Sequence, residues 1–182
     1  ERYLVSAKRK FMKSKLESKI IERRARVGVV GLGYAGLPLA LEFVRAGFKV
    51  VGIASRTIEH ARAVAAQHAV PEAYADYREL LDNEEVEVVD IAVPPDQQLA
   101  IVRDVCMHND HVRGILAQKP LAMSYHEARQ IVELCDSAGI KLAVNQNMRY
   151  DQSVRALKDI LTRGYLGDPV LGTIEMRAIP HW

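Results

Sequence analysis

Cysteine is scarce in this 182-residue chain, and the scarcity excludes a disulfide scaffold. Cys106 and Cys135 both lie in apolar stretches of helical spacing, without a metal-like partner at short spacing. They read as buried thiols in a reducing compartment. The histidines His60, His68, His108, His111, His126 and His181 show no metal-ligand spacing with Cys, Asp or Glu, so no metal is expected. Long apolar runs are missing too. None reaches the roughly 18 to 20 residues needed to cross a bilayer, and the start is too charged for a secretory signal. A cytoplasmic protein without membrane or nucleic-acid partners is expected.

The chain does have enough apolar residues, 49%, to bury a core. Its net charge of +2 hides an asymmetry: residues 1–26 carry ten Lys and Arg against three Glu, or +7, which leaves −5 for the rest. In "KRKFMKSKLESKIIERRAR" the residues Phe11, Met12, Leu16, Ile20 and Ile21 recur at three- to four-residue spacing. This predicts a basic amphipathic helix over residues 1–25 whose apolar stripe packs on the domain or on another subunit. Acidic partners are the alternative reading of so basic a segment.

From Arg26 onward β-branched runs alternate with longer helical patterns, the order that makes a parallel sheet covered on both faces. "RVGVVG", "FKVVGIAS", "EAYAD", "VEVVDIAV", "GILAQK" and "IKLAVNQN" read as strands. "VEVVDIAV" lacks alternation, as expected of a strand covered on both faces. The fold class is α/β: a doubly wound parallel sheet of about six strands over residues 26–148. After it, "YDQSVRALKDILTRGYLG" reads as a helix. Pro169 to Trp182 reads as a strand opening a second α+β domain, residues 149–182, of which only the start is expected here. A lone strand leaves backbone groups unpaired, so the alternative is that it joins a sheet edge or another copy.

Gly31, Gly33 and Gly36 form G-x-G-x-x-G between the first strand and the first helix. In that setting Gly31 makes the tight turn, Gly33 lets a pyrophosphate approach the backbone, and Gly36 lets helix and strand pack closely. Leu32, Tyr34 and Ala35 complete the turn, and the helix N-terminus favours an anion. The expected ligand is a dinucleotide. The acid that usually takes the ribose hydroxyls, at the tip of the second strand, is absent: the residues there are Ala54, Ser55 and Arg56. A carboxylate repels a ribose 2′-phosphate, whereas a hydroxyl and a guanidinium bind it. NADP is therefore the expected preference, with NAD, held through weaker ribose contacts, as the alternative.

Three segments, "YADYRELLDNEEVEVVDIAVPPD", "AQKPLAMSYHEARQIVELCDSAGIKLAVNQNMRY" and "LKDILTRGYLGDPV", occur in the order found in the Gfo/Idh/MocA oxidoreductases, and residues 54–182 resemble that family. Residues 12–53, with "GLGYAGLPLA", resemble the start of the nucleotide-sugar (UDP-sugar) 6-dehydrogenases, which place the same turn in the same position. The first resemblance implies an NAD(P)-dependent enzyme that moves a hydride between the nicotinamide and a carbinol or carbonyl carbon of a sugar or polyol. It also implies a homo-oligomer built through the second domain. Lys119 stands for the lysine of the family's E-K-P signature, as the catalytic residue that orients the sugar and takes part in proton transfer. Gln118 replaces the usual Glu. Val93, Pro94 and Pro95 are expected to shape the loop against the nicotinamide ribose, or only to pack. Gln98 stands near a position where many relatives have histidine and is counted on the cofactor side, with packing as the alternative. Asn147, Arg149 and Tyr150 read either as lining the substrate side or as satisfying backbone groups. Two other readings stay open: a non-catalytic dinucleotide-binding module, and a fragment of a nucleotide-sugar 6-dehydrogenase, which needs a catalytic cysteine in a later domain.

Overall fold

Six short β-rich runs pair side by side, and the inner four have apolar residues pointing both ways, so that neither of their faces can be left to water. The computed structural model describes residues 15–108, 110–173 and 175. Its strands are β1 (Arg26–Val30), β2 (Lys49–Ala54), β3 (Glu72–Tyr74), β4 (Val88–Ile91), β5 (Gly114–Gln118) and β6 (Lys141–Asn145). They form one sheet in the order β3-β2-β1-β4-β5-β6, parallel throughout. The order reverses between β1 and β4. The loops that leave these two strands therefore run to opposite faces, and a crevice opens between them at the C-terminal edge.

The helices follow from the connections, since a parallel neighbour is reached only by a crossover over one face. They are α2 (Gly36–Arg45), α3 (Ile58–His68), α4 (Tyr77–Leu81), α5 (Pro95–His108) and α6 (Tyr125–Ala138), after a helical stretch α1 described over residues 15–21. One core cluster joins Val27, Val29, Val50 and Ile53 to Ala40 of α2 and to Ala61 and Val64 of α3. The other joins Val30, Val51, Val89, Ile91 and Ile115 to Leu80 of α4, to Ile101 and Val105 of α5, and to Ile131 of α6. Neighbouring strand residues such as Val29 and Val30 thus feed opposite cores.

Among the described residues, the basic segment is anchored through Leu16, Glu17 and Lys19. Leu16 is buried in the described part of α1 and lies beside Gly114. Lys19 donates to Glu87, and Lys141 pairs with Glu17 at 2.7 Å. Burial pushes the Glu87 carboxyl up, but Lys19, the Arg26 amide and the Arg26 guanidinium together outweigh it and hold the group below its ordinary value. Within the described residues, only Leu16 of the expected apolar stripe is buried. Helix α1 ends by residue 21, Ile20 is 41% and Ile21 80% exposed, and Phe11 and Met12 lie outside the described residues.

The chain divides into two compact units after Asn145. In the second, Asn147–Tyr150 is a 3-10 turn and α7 spans Gln152–Thr162. Asp151 caps α7, accepting from the backbone N–H of Ser153 at 2.9 Å and of Val154 at 3.3 Å. The Ser153 hydroxyl and these amides keep the carboxyl below its ordinary value. The strand expected from Pro169 is not formed over residues 169–173 or at 175, because no ladder partner is present among the described residues; the rest of it lies outside them.

"VEVVDIAV" conceals one polar residue whose burial is complete. Asp90 lies in register between Val29 of β1 and Leu116 of β5, has no exposed surface, and has no partner for either carboxylate oxygen among the described residues. Burial pushes its pKa up to about 7. The folded state therefore binds a proton that the unfolded state has lost, and stability falls as pH rises from the ordinary carboxylate range to about 7. Asp90→Asn removes this dependence. Urea midpoints measured from pH 4 to 8 should show the variant gaining on the wild type up to about pH 7, with a constant lead above it.

Candidate functional site

The crevice at the reversal point is a cleft of about 940 Å³, at the upper end of ordinary small-molecule sites. Its floor is the turn from β1 into α2. Gly31 has φ +94°, and a Cβ there would lie 2.5 Å from the Ala92 carbonyl oxygen, so any other residue would clash as well as be strained. A Cβ on Gly36 would lie 1.8 Å from the Gly31 carbonyl oxygen. The first turn of α2 therefore rests directly on the end of β1. Gly33 differs from both: nothing of the protein lies within 4 Å of where its Cβ would be, and the residue lines the cleft. The space above Gly33 is open to a ligand.

The N-terminus of α2 suits an anion. Its N-cap residue, Ala35, has no side-chain cap hydrogen bond, and the first turn has no acidic residue. The positive end of the helix dipole is unopposed there, although Leu37 N–H already donates to the Gly33 carbonyl at 3.2 Å and Pro38 has no N–H. The turn is held from two sides. Gly31 N–H donates to the Ala54 carbonyl at 2.9 Å, and His60 lies with Nε2 3.3 Å from the Leu32 carbonyl. A carbonyl only accepts, so this ring nitrogen carries the proton.

Ser55, Arg56 and Thr57 form the cleft edge at the tip of β2. Thr57 is the N-cap of α3, yet its hydroxyl makes no cap hydrogen bond, so the edge presents two hydroxyls and a guanidinium. Opposite, Val93, Pro94 and Pro95 carry the wall from β4 into α5, and Gln118 and Lys119 stand at the end of β5. Lys119 is exposed, and its backbone N–H donates to Gln118 Oε1 at 3.0 Å. Gly31, Leu32, Gly33, Tyr34 and Ala35 line the same cleft. One lining thus brings together all the residues expected on the cofactor side except Gly36 and Gln98.

Gly36 lies beneath the turn, where its lack of a side chain permits the packing. Gln98 follows the packing alternative and not the cofactor-side reading: it does not line the cleft but is fully buried in α5. Its Nε2 donates to the carbonyls of Gln118 and Pro120, both at 2.9 Å. Both amide hydrogens are used on the residues that bracket Lys119, and Gln98 Oε1 has no partner among the described residues. The residue clamps the lysine loop from behind. Asn147, Arg149 and Tyr150 do not close β6, which ends at Asn145; they belong to the 3-10 turn of the second unit, not the unit that carries the cleft.

The loop after β3 also lines the cleft, through Ala75, Asp76 and Tyr77, which sequence reasoning passed over. Tyr77 hydroxyl donates to Asp104 of α5 at 2.6 Å, and Arg78 pairs with the same carboxylate at 3.0 Å while lying 4.6 Å over the Tyr77 ring. Burial and the Asp104 bond push the phenol up to about 12. The signal was present, because the start of a helix directly after the strand beside β2 falls on the ligand edge of such a sheet. Among the described residues no group of His, Cys, Asp or Glu could hold a metal ion, and no helix is long and apolar enough to cross a membrane.

Known proteins match this arrangement. The family described as oxidoreductases with an NAD-binding Rossmann fold, Gfo/Idh/MocA, matches residues 25–146. A trans-1,2-dihydrobenzene-1,2-diol dehydrogenase of Bos taurus is 32% identical over 124 residues, 68% of this chain and 36% of its own. A D-apiose dehydrogenase of Rhizobium rhizogenes is 29% identical over 132 residues, 72% of this chain and 37% of its own. The crystal structure of an Agrobacterium radiobacter oxidoreductase in complex with NAD+, L-tartaric acid and magnesium is 26% identical, with a TM-score of 0.73 over 80% of this chain and 42% of that one. The chain thus spans a little over a third of the length of these curated relatives. The family match takes in the glycine turn, the Ser55–Arg56 edge and Lys119 together, and the chain belongs to the Gfo/Idh/MocA oxidoreductase family, with its NAD-binding Rossmann domain.

Proposed function

We propose that the cleft binds NADP(H) in preference to NAD(H), and that Lys119 serves hydride exchange with a secondary alcohol or carbonyl of a sugar or polyol. The observation that carries this reading is the convergence on one cleft of an uncapped helix N-terminus, a cationic hydroxyl-lined edge and a lysine at a strand end. The open backbone at Gly33 and the positive end of α2 hold the pyrophosphate. Ser55, Arg56 and Thr57 take the adenosine ribose and its 2′-phosphate. No protein partner of the Arg56 guanidinium is present among the described residues, which leaves its donors for a phosphate.

When bound, the nicotinamide supplies a hydride donor or acceptor at ring carbon C4. Lys119 contributes a mobile ammonium at the rim, placed by Gln98 through the carbonyls on either side of it. It orients the substrate hydroxyl or carbonyl oxygen and holds or moves its proton. Gln118 keeps hydrogen-bonding capacity where relatives carry a carboxylate, without the charge. The likeness of residues 12–53 to nucleotide-sugar 6-dehydrogenases reflects, in this reading, a shared phosphate turn and not a shared substrate. Neither cysteine lines the cleft. The relatives' names, a sugar dehydrogenase and a diol dehydrogenase, support a vicinal-diol substrate class.

Fluorescence titration with NADPH and NADH tests the cofactor reading. NADPH should bind tighter, and Arg56→Ala should weaken NADPH by about 10- to 100-fold, the worth of a charge-assisted pair, with little effect on NADH. Tighter NADH binding by the wild type would sink the preference. Gly33→Val should weaken both cofactors with an unchanged Tm, whereas Gly36→Ala should lower the Tm, because only the second substitution meets protein atoms.

Lys119→Ala should bind NADPH as the wild type does while polyol turnover, read from nicotinamide absorbance, falls by about 10²- to 10⁴-fold. Equal turnover with and without the lysine would show that it takes no part.

A further inference from the structure

The two cysteines of the chain stand on different helices, α5 and α6, and meet the same buried cluster, Cys135 as a member and Cys106 packed against it. No disulfide joins them. Helices α5 and α6 leave neighbouring parallel strands, β4 and β5, and lie on the same face of the sheet. Their last turns are therefore level, and Cys106 sits in one as Cys135 sits in the other. The two thiols differ in access. Cys135 is a core residue, 1% exposed, whereas Cys106 is half-buried at the edge of that core. An oxidant from solvent meets Cys106 first, and Cys135 has Cys106 within its reach.

We propose that Cys106 and Cys135 form a two-electron redox site, in which a hydroperoxide oxidises Cys106 and Cys135 resolves the product as a disulfide between α5 and α6. The Cys106 thiolate attacks one peroxide oxygen, the O–O bond breaks, and the departing oxygen leaves as water, or as an alcohol, after taking a proton. Cys106 is then a sulfenic acid, oxidised by two electrons. The Cys135 sulfur attacks the Cys106 sulfur, the S–O bond breaks, and hydroxide leaves with the Cys135 proton as water. Two thiols and one hydroperoxide thus give one disulfide, one water and one water or alcohol. The roles follow from the surroundings. The neighbouring Cys135 thiol holds the Cys106 thiol below its ordinary value, while Cys106, burial and Asp136 push Cys135 up. Cys106 is the stronger attacking thiolate and Cys135 the resolving thiol.

The reduced chain, treated with hydrogen peroxide, denatured and labelled with maleimide, tests this. Because the chain has only two cysteines, both thiols should disappear together, with a Cys106–Cys135 linked peptide that dithiothreitol reverses. In Cys135→Ser, dimedone should trap a sulfenic acid on Cys106. In Cys106→Ser, Cys135 should keep its maleimide reactivity at a peroxide dose that consumes both wild-type thiols. The proposal is overturned if the wild type retains both thiols under peroxide, if the linkage joins two chains, or if Cys135 is lost as fast without Cys106 as with it.

Discussion

The contact between the first turn of α2 and the end of β1 governs how the ligand edge is built. Where Gly36 faces the Gly31 carbonyl there is no room for even a methyl group, so the helix starts as close to the sheet as a backbone can. That closeness brings the N-terminus of the helix to the cleft floor and leaves open space above Gly33. A larger residue at position 36 would lift the helix, and its N-terminus would move away from the strand tips that supply the rest of the site. Tyr34 and Ala35, which have no bulky task of their own, are carried into the lining by the same turn.

The sequence was most readable where one residue type has one physical reason to be present. Three glycines between a strand and a helix, and an apolar strand without alternation, each led to the element found. It was least readable where a side chain can serve either of two surfaces. Gln98 has the polarity of a ligand contact, and only the fold shows that the carbonyls of Gln118 and Pro120 use both of its amide hydrogens. Asp90 sits in a run whose apolar neighbours dominate its character, and its burial is a property of the strands on either side. Tyr77 reaches the cleft edge through a bond to Asp104, 27 residues away, which no local pattern announces.

The cleft and the core also draw on the same helix in different ways. One end of α5 provides Pro95 to the cleft wall, the next turn provides the Gln98 clamp, and the last turn provides Cys106 to the contact with α6. Between them Ile101, Val102 and Val105 are nearly or fully buried, each worth about 1.5 to 3 kcal/mol of burial. The helix is fixed along its middle by packing against the sheet. Its two ends are left to polar chemistry.

The position of Glu87 separates the two edges of the sheet. This carboxylate lies just before β4 and gathers Lys19 and Arg26, while Leu16 and Glu17 reach the first residues of β5 and β6. All of these contacts are at the N-terminal edge of the strands, and the cleft is at the C-terminal edge. The described residues of α1 therefore lie across the sheet from the cleft, and Lys15, exposed on that helix, offers a labelling position remote from it.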